Sequence, residues 1–170
     1  MITSARHVLM LALLGISALL PITAHATETV PKEVYQRVVR AHNGYFQLRE
    51  LGDYEKAYTL FTDGQKSHVS LAQFSSQWAA VRERYGKLTK LTITKVTWYQ
   101  NPPGLSRGLY AAIDFRASFE RLEDFCGLVV WSINDGYKVQ REEMNFLEDR
   151  SKQAISNLGN DKALKTLSCN

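Results

Sequence analysis

Carboxylates are the residues of this chain best suited to chemistry, and their surroundings decide which kind. Asp114 is the one acid in the middle of an alternating stretch, two positions before Arg116. Glu142 and Glu143 follow Arg141 further on. An acid held in an apolar pocket can act as a general base, because desolvation raises its pKa. On an exposed sheet face the same residues form a ladder of cross-strand ion pairs, in which Arg116 would hold Asp114 ionised and lower its pKa. The ladder needs no further explanation, so no catalytic residue is assigned.

Other reactive groups are sparse. Beyond residue 26 there are two histidines, His42 and His68. Neither stands four positions from another His or Cys, which leaves a zinc site without local support; each reads as a surface or half-buried side chain. No Gly-x-Ser-x-Gly elbow, glycine-rich phosphate loop or Cys-x-x-Cys motif occurs. No metal or cofactor is expected. The two cysteines, Cys126 and Cys169, are expected to form one disulfide in an oxidising compartment. Closing that loop is worth about 4 kcal/mol on the chain-entropy model. Cys126, Leu128 and Val130 share one strand face by period-two geometry, and the pairing would lay a C-terminal segment bearing Leu164 and Leu167 across it.

Aromatics are more numerous than any chemistry requires. Tyr54, Tyr58, Trp78, Phe115 and Trp131 read as core, and also as the candidate lining of a cavity between helices and sheet. Such a cavity would suit a lipid or another small apolar ligand. Trp98, Tyr110, Asp114 and Arg116 form the candidate face for a protein partner. The formal net charge is +4, without the clustered basic stripe of a nucleic-acid binder.

The N-terminus carries a targeting pattern. Arg6 and His7 precede an uncharged apolar run from Val8 to Leu20, then Pro21 and the small-x-small triplet Ala24-His25-Ala26. This predicts a secretory signal peptide cut between Ala26 and Thr27. The run falls short of the roughly 20 apolar residues that a transmembrane helix needs. The expected organisation is a signal over residues 1–26, a single α+β domain over 27–150, and a tail over 151–170 stapled to it. The expected location is periplasmic or secreted, with no stable membrane insertion after cleavage.

The elements that must position these residues follow from periodicity. Val34, Val38, Ala41, Tyr45 and Leu48 repeat at helical spacing and predict a helix over about 31–50. A short helix through Tyr54, Ala57, Tyr58 and Phe61 is expected to end at Asp63-Gly64. Ser70 and Gln73 form a capping box for a helix carrying Phe74, Trp78, Val81 and Tyr85, with Gly86 past its end. Four strands follow, over about 88–99, 109–119, 125–133 and 137–146. Asn101-Pro102-Pro103-Gly104 and Asn134-Asp135-Gly136 mark two of the turns. The fold class is α+β: N-terminal helices packed on one face of a curved, four-stranded antiparallel sheet.

Four local blocks carry a family resemblance. They are Gly52-Asp53-Tyr54-Glu55-Lys56-Ala57-Tyr58; Phe74, Trp78, Arg82 and Gly86 at four-residue steps; Tyr110, Phe115 and Phe119; and Asp135-Gly136-Tyr137-Lys138-Val139. In this order, over about residues 50–146, they resemble an exported bacterial family known only as a domain of unknown function. Tyr137 stands where that family more often has Trp, and the two cysteines lie outside its pattern. The element order resembles the cone-shaped fold of nuclear transport factor two, shared with ketosteroid isomerase and scytalone dehydratase. The resemblance implies a fold and brings no catalytic residues. The expected role is a non-enzymatic exported binding domain for a protein or a small apolar ligand. One alternative is a periplasmic inhibitor or immunity protein against an exported toxin. The other is a cone-fold lyase, isomerase or hydrolase using Asp114 or a Glu as base, which a buried acid in the mouth of the cone would favour.

Overall fold

The computed structural model describes residues 30–146. The signal, the Ala26–Thr27 cleavage site, the tail and Cys169 lie outside the described residues. Among those described, four helices precede four strands: α1 (Lys32–Glu50), α2 (Tyr54–Thr59), α3 (Asp63–His68), α4 (Leu71–Tyr85), β1 (Leu88–Gln100), β2 (Leu109–Phe119), β3 (Leu122–Ser132) and β4 (Lys138–Phe146). The strands form one antiparallel sheet in the order β1-β2-β3-β4. This is the α+β architecture that the sequence predicts.

Local capping sets the helix boundaries. The Asp53 side chain accepts from the Lys56 backbone N–H and starts α2. Ser70 and Gln73 satisfy each other's backbone donors at the start of α4, and Gly86 follows it at φ 84°. The chain does not simply break at Asp63-Gly64, as expected from sequence. Thr62 accepts from the Gln65 backbone N–H and starts a further helix, α3. A Thr followed by acidic and small residues is itself an N-cap signal, and it outweighs the Gly as a terminator.

The link between α2 and α3 also covers part of an exposed sheet edge. The Val139 backbone N–H donates to the Leu60 carbonyl at 2.7 Å, and the Thr62 N–H to the Val139 carbonyl at 3.0 Å. Backbone groups of the edge strand β4 are thereby satisfied, which protects them from pairing with another chain.

Of the register shifts that interrupt strict alternation, two bear on the candidate site. In β1 the register slips between Ile93 and Lys95. Leu91 and Ile93 face the helices before the slip; Val96 and Trp98, opposite Ile113 and Ala111, face them after it. In β4, Val139 pairs with Trp131 and Arg141 with Val130, leaving Gln140 as the extra residue. Beyond it Glu142, Met144 and Phe146 stand opposite Val129, Gly127 and Phe125. One inserted residue inverts the facing of everything after it. Glu142 therefore points into the helix–sheet interior, and not onto an exposed ladder beside Arg141.

The core fills the space between α1, α4 and the inner sheet face. Tyr45, Phe46, Phe61, Phe74, Phe115 and Trp131 are all buried and packed as a continuous aromatic cluster. Gly127 makes room for it: a Cβ there would collide with the Phe115 ring and the Glu143 carbonyl.

Candidate functional site

Helix α1 buries Val38, His42, Tyr45, Phe46 and Arg49. Positions 38, 42, 45 and 49 recur at steps of four, three and four, so one helical face carries a histidine, a phenol and a guanidinium into the core. Glu142 meets them from β4. The Tyr45 hydroxyl donates to Glu142 Oε2 at 2.5 Å. Arg49 Nη1 lies 3.6 Å from the same oxygen, with Arg49 4% and Glu142 14% exposed. The Arg49 guanidinium stacks over the Trp78 ring, 3.0 Å from its centroid, and over Phe46 at 4.3 Å. Stacking on aromatic faces helps to hold a cation that has left water.

Burial dominates the protonation of this cluster. It raises the Glu142 pKa above the usual carboxylate value, against the opposing pull of Arg49, Tyr45 and Trp78. It raises Tyr45 as well, assisted by the Glu142 charge. It lowers Arg49, which Tyr45 and Glu142 act to hold charged. His42 is brought down to about 3 by burial and then by the Arg49 charge. The Trp131 indole N–H donates to His42 Nδ1 at 3.4 Å. In the neutral ring the proton consequently sits on Nε2, which has no hydrogen-bond partner, as do Nε and Nη1 of Arg49. A buried polar atom without a hydrogen bond costs about 1–3 kcal/mol, so the cluster is held against its own preference.

A pocket of about 500 Å³ opens beside the cluster, between α4 and β4. Val69, Phe74, Trp78, Val81, Met144 and Phe146 supply its apolar walls, and Gln65 and Gln77 supply polar ones. Among the described residues Glu142 is the one charged residue that lines it. A second hollow of about 530 Å³ lies between the α2–α3 link and the strand turns. It is polar, and Asp63, Lys66, Asp135 and Lys138 give it both signs of charge.

The structure disperses the residues singled out from sequence. Of the proposed cavity lining, Trp78 reaches the pocket. Phe115 and Trp131 are solid core, 1% and 0% exposed. Tyr54 and Tyr58 are half-buried beside Phe74, and the Tyr58 hydroxyl donates to the Val69 carbonyl at 3.0 Å. The proposed partner face is not one surface. Trp98 pairs with Ala111 and packs on the helix side after the β1 bulge. Tyr110 lies on the other side and is buried, its hydroxyl donating to the Ser106 carbonyl. Asp114 is half-buried and Arg116 exposed on that outer face.

One expectation about protonation and one about burial are overturned. Burial beside Leu128, its partner on β3, raises the Asp114 pKa, and the opposing cation is Lys95 across β1, not Arg116. His42 is fully buried, not a surface or half-buried residue. Cys126 is buried on the outer face opposite Arg116, and no cysteine among the described residues is free. Its pairing with Cys169 concerns a residue beyond those described.

Among the described residues no group of three His, Cys, Asp or Glu could hold a metal ion, and no helix is long and apolar enough to cross a membrane. The model of a family described as a protein of unknown function, DUF4019, matches residues 41–140. The match takes in His42, Tyr45, Arg49 and Trp78 and stops two residues before Glu142. No curated protein and no solved structure matches the chain.

Proposed function

The chain belongs to the DUF4019 family of proteins of unknown function, and from that premise we propose that it is an exported, non-enzymatic domain that binds a small apolar ligand between α4 and β4. The observation that carries this reading is the pocket walled by Phe74, Trp78, Val81, Met144 and Phe146. Ligand sites are typically concave and apolar with a few placed polar groups, and this one has Glu142. That carboxylate accepts from Tyr45 and lies beside Arg49. An acid engaged in this way orients a ligand more readily than it abstracts a proton, which is why binding is preferred to catalysis.

The cone-like enzyme is the second reading, and the raised Glu142 pKa favours it. Export rests on the signal pattern ending at Ala26, and the staple between Cys126 and Cys169 belongs to the same proposal. Intact-mass measurement of the secreted protein under non-reducing conditions should then give a chain starting at Thr27 with both thiols oxidised. Binding is tested with Nile red, a neutral apolar dye. Its fluorescence should rise saturably with the wild-type protein and much less with Val81→Trp, which fills the pocket. Equal responses would end the reading.

A further inference from the structure

We propose that the pocket selects a neutral amphiphile: an apolar body with a hydroxyl head that hydrogen-bonds to Glu142. This rests on the binding reading above and specifies its chemistry. The walls fix the body. Val69, Phe74, Val81, Met144 and Phe146 offer no charge and no strong hydrogen-bonding group to a ligand, so the ligand surface against them must be apolar.

The charge balance fixes the head. Among the described residues one carboxylate, Glu142, faces the pocket, and the Arg49 guanidinium pairs with it. The protein closes this balance without help. An ammonium head at Glu142 would bring a second cation beside Arg49. A carboxylate head would meet the Glu142 charge, and the Arg49 guanidinium that could offset it is already paired with Glu142. Either charged head would leave water without a free countercharge, which is costly in a buried site. A hydroxyl needs only an acceptor. A carboxylate offers about four lone-pair sites over two oxygens, and Tyr45 occupies one on Oε2. Acceptor capacity remains for a ligand O–H.

The proposal is tested with three probes of one chain length, decanol, decanoate and decylamine. Their dissociation constants are measured calorimetrically at pH 7 on the chain from Thr27 onward. Decanol should bind about tenfold or more tightly than either charged analogue. In Glu142→Gln the site gains the uncompensated Arg49 charge, and the preference should move toward decanoate. The wild-type ranking decides the matter even if that variant does not fold. Decanoate or decylamine binding as tightly as decanol overturns the head-group assignment while leaving a binding pocket in place. If none of the three binds and Nile red also fails, the binding reading falls and this proposal falls with it.

Discussion

The Tyr45 hydroxyl and the Glu142 carboxylate meet at 2.5 Å, tying the first helix to the last strand across 97 positions of sequence. Arg49 completes the contact as the carboxylate's nearby cation. Tyr45→Phe should cost about 1–3 kcal/mol, because it leaves a buried acceptor short of a donor. Arg49→Met should cost about 3–5 kcal/mol, because the carboxylate then lacks its countercharge. Combining Arg49→Met with Glu142→Leu should recover much of that loss, since an apolar pair of similar volume carries no unpaired charge. Urea denaturation of these variants and of Glu142→Leu alone measures this. Additive losses in the double variant would show that the two side chains do not act as a pair.

His42 predicts how stability depends on pH. Its value in the folded protein is about 3, against 6.5 for the free side chain. Between those values the unfolded chain takes up a proton that the folded chain refuses. Its contribution to stability is therefore full above about pH 6.5 and is lost as pH falls toward about 3, at roughly 1.4 kcal/mol per unit. Glu142 works in the opposite sense. Its raised value favours the protonated folded form, so its contribution is present below the free value of 4.5 and is lost as pH rises through the folded value. His42→Gln keeps an acceptor for Trp131 and should flatten the decline between pH 6.5 and 4. An unchanged slope would assign that decline to other groups.

Asp114 should titrate above its ordinary value of 3.8, because burial beside Leu128 outweighs the attraction of Lys95. Lys95→Ala should raise it further. Carboxyl-detected NMR reads both values directly. A wild-type value below 3.8 would restore the exposed-ladder interpretation of this strand.

The architecture was legible because periodicity and capping agree with it. The capping box at Ser70 and the alternation from Leu109 to Phe119 each carry enough local information to define an element. The site was not legible, for two physical reasons. His42 and Arg49 lie on the same face as Val38 and Tyr45, but reading α1 as an apolar stripe passes over polar side chains at those positions. The spacing 38, 42, 45, 49 was the available signal. Glu142 was hidden by the Gln140 bulge, a feature of pairing geometry that strict alternation places on the wrong side. The β1 bulge moved Trp98 off the outer face in the same way.

The central claim is that an apolar ligand enters between α4 and β4, and Met144 provides its most direct measurement. A chain beginning at Thr27 contains one methionine, Met144, and that side chain lines the pocket. With 13C-labelled methionine methyl groups, that chain should give a single side-chain resonance. Titration with decanol should shift it saturably, and Val81→Trp should abolish the shift. A resonance that stays in place while decanol binds elsewhere, or that does not move at any concentration up to the solubility limit of decanol, would contradict the account.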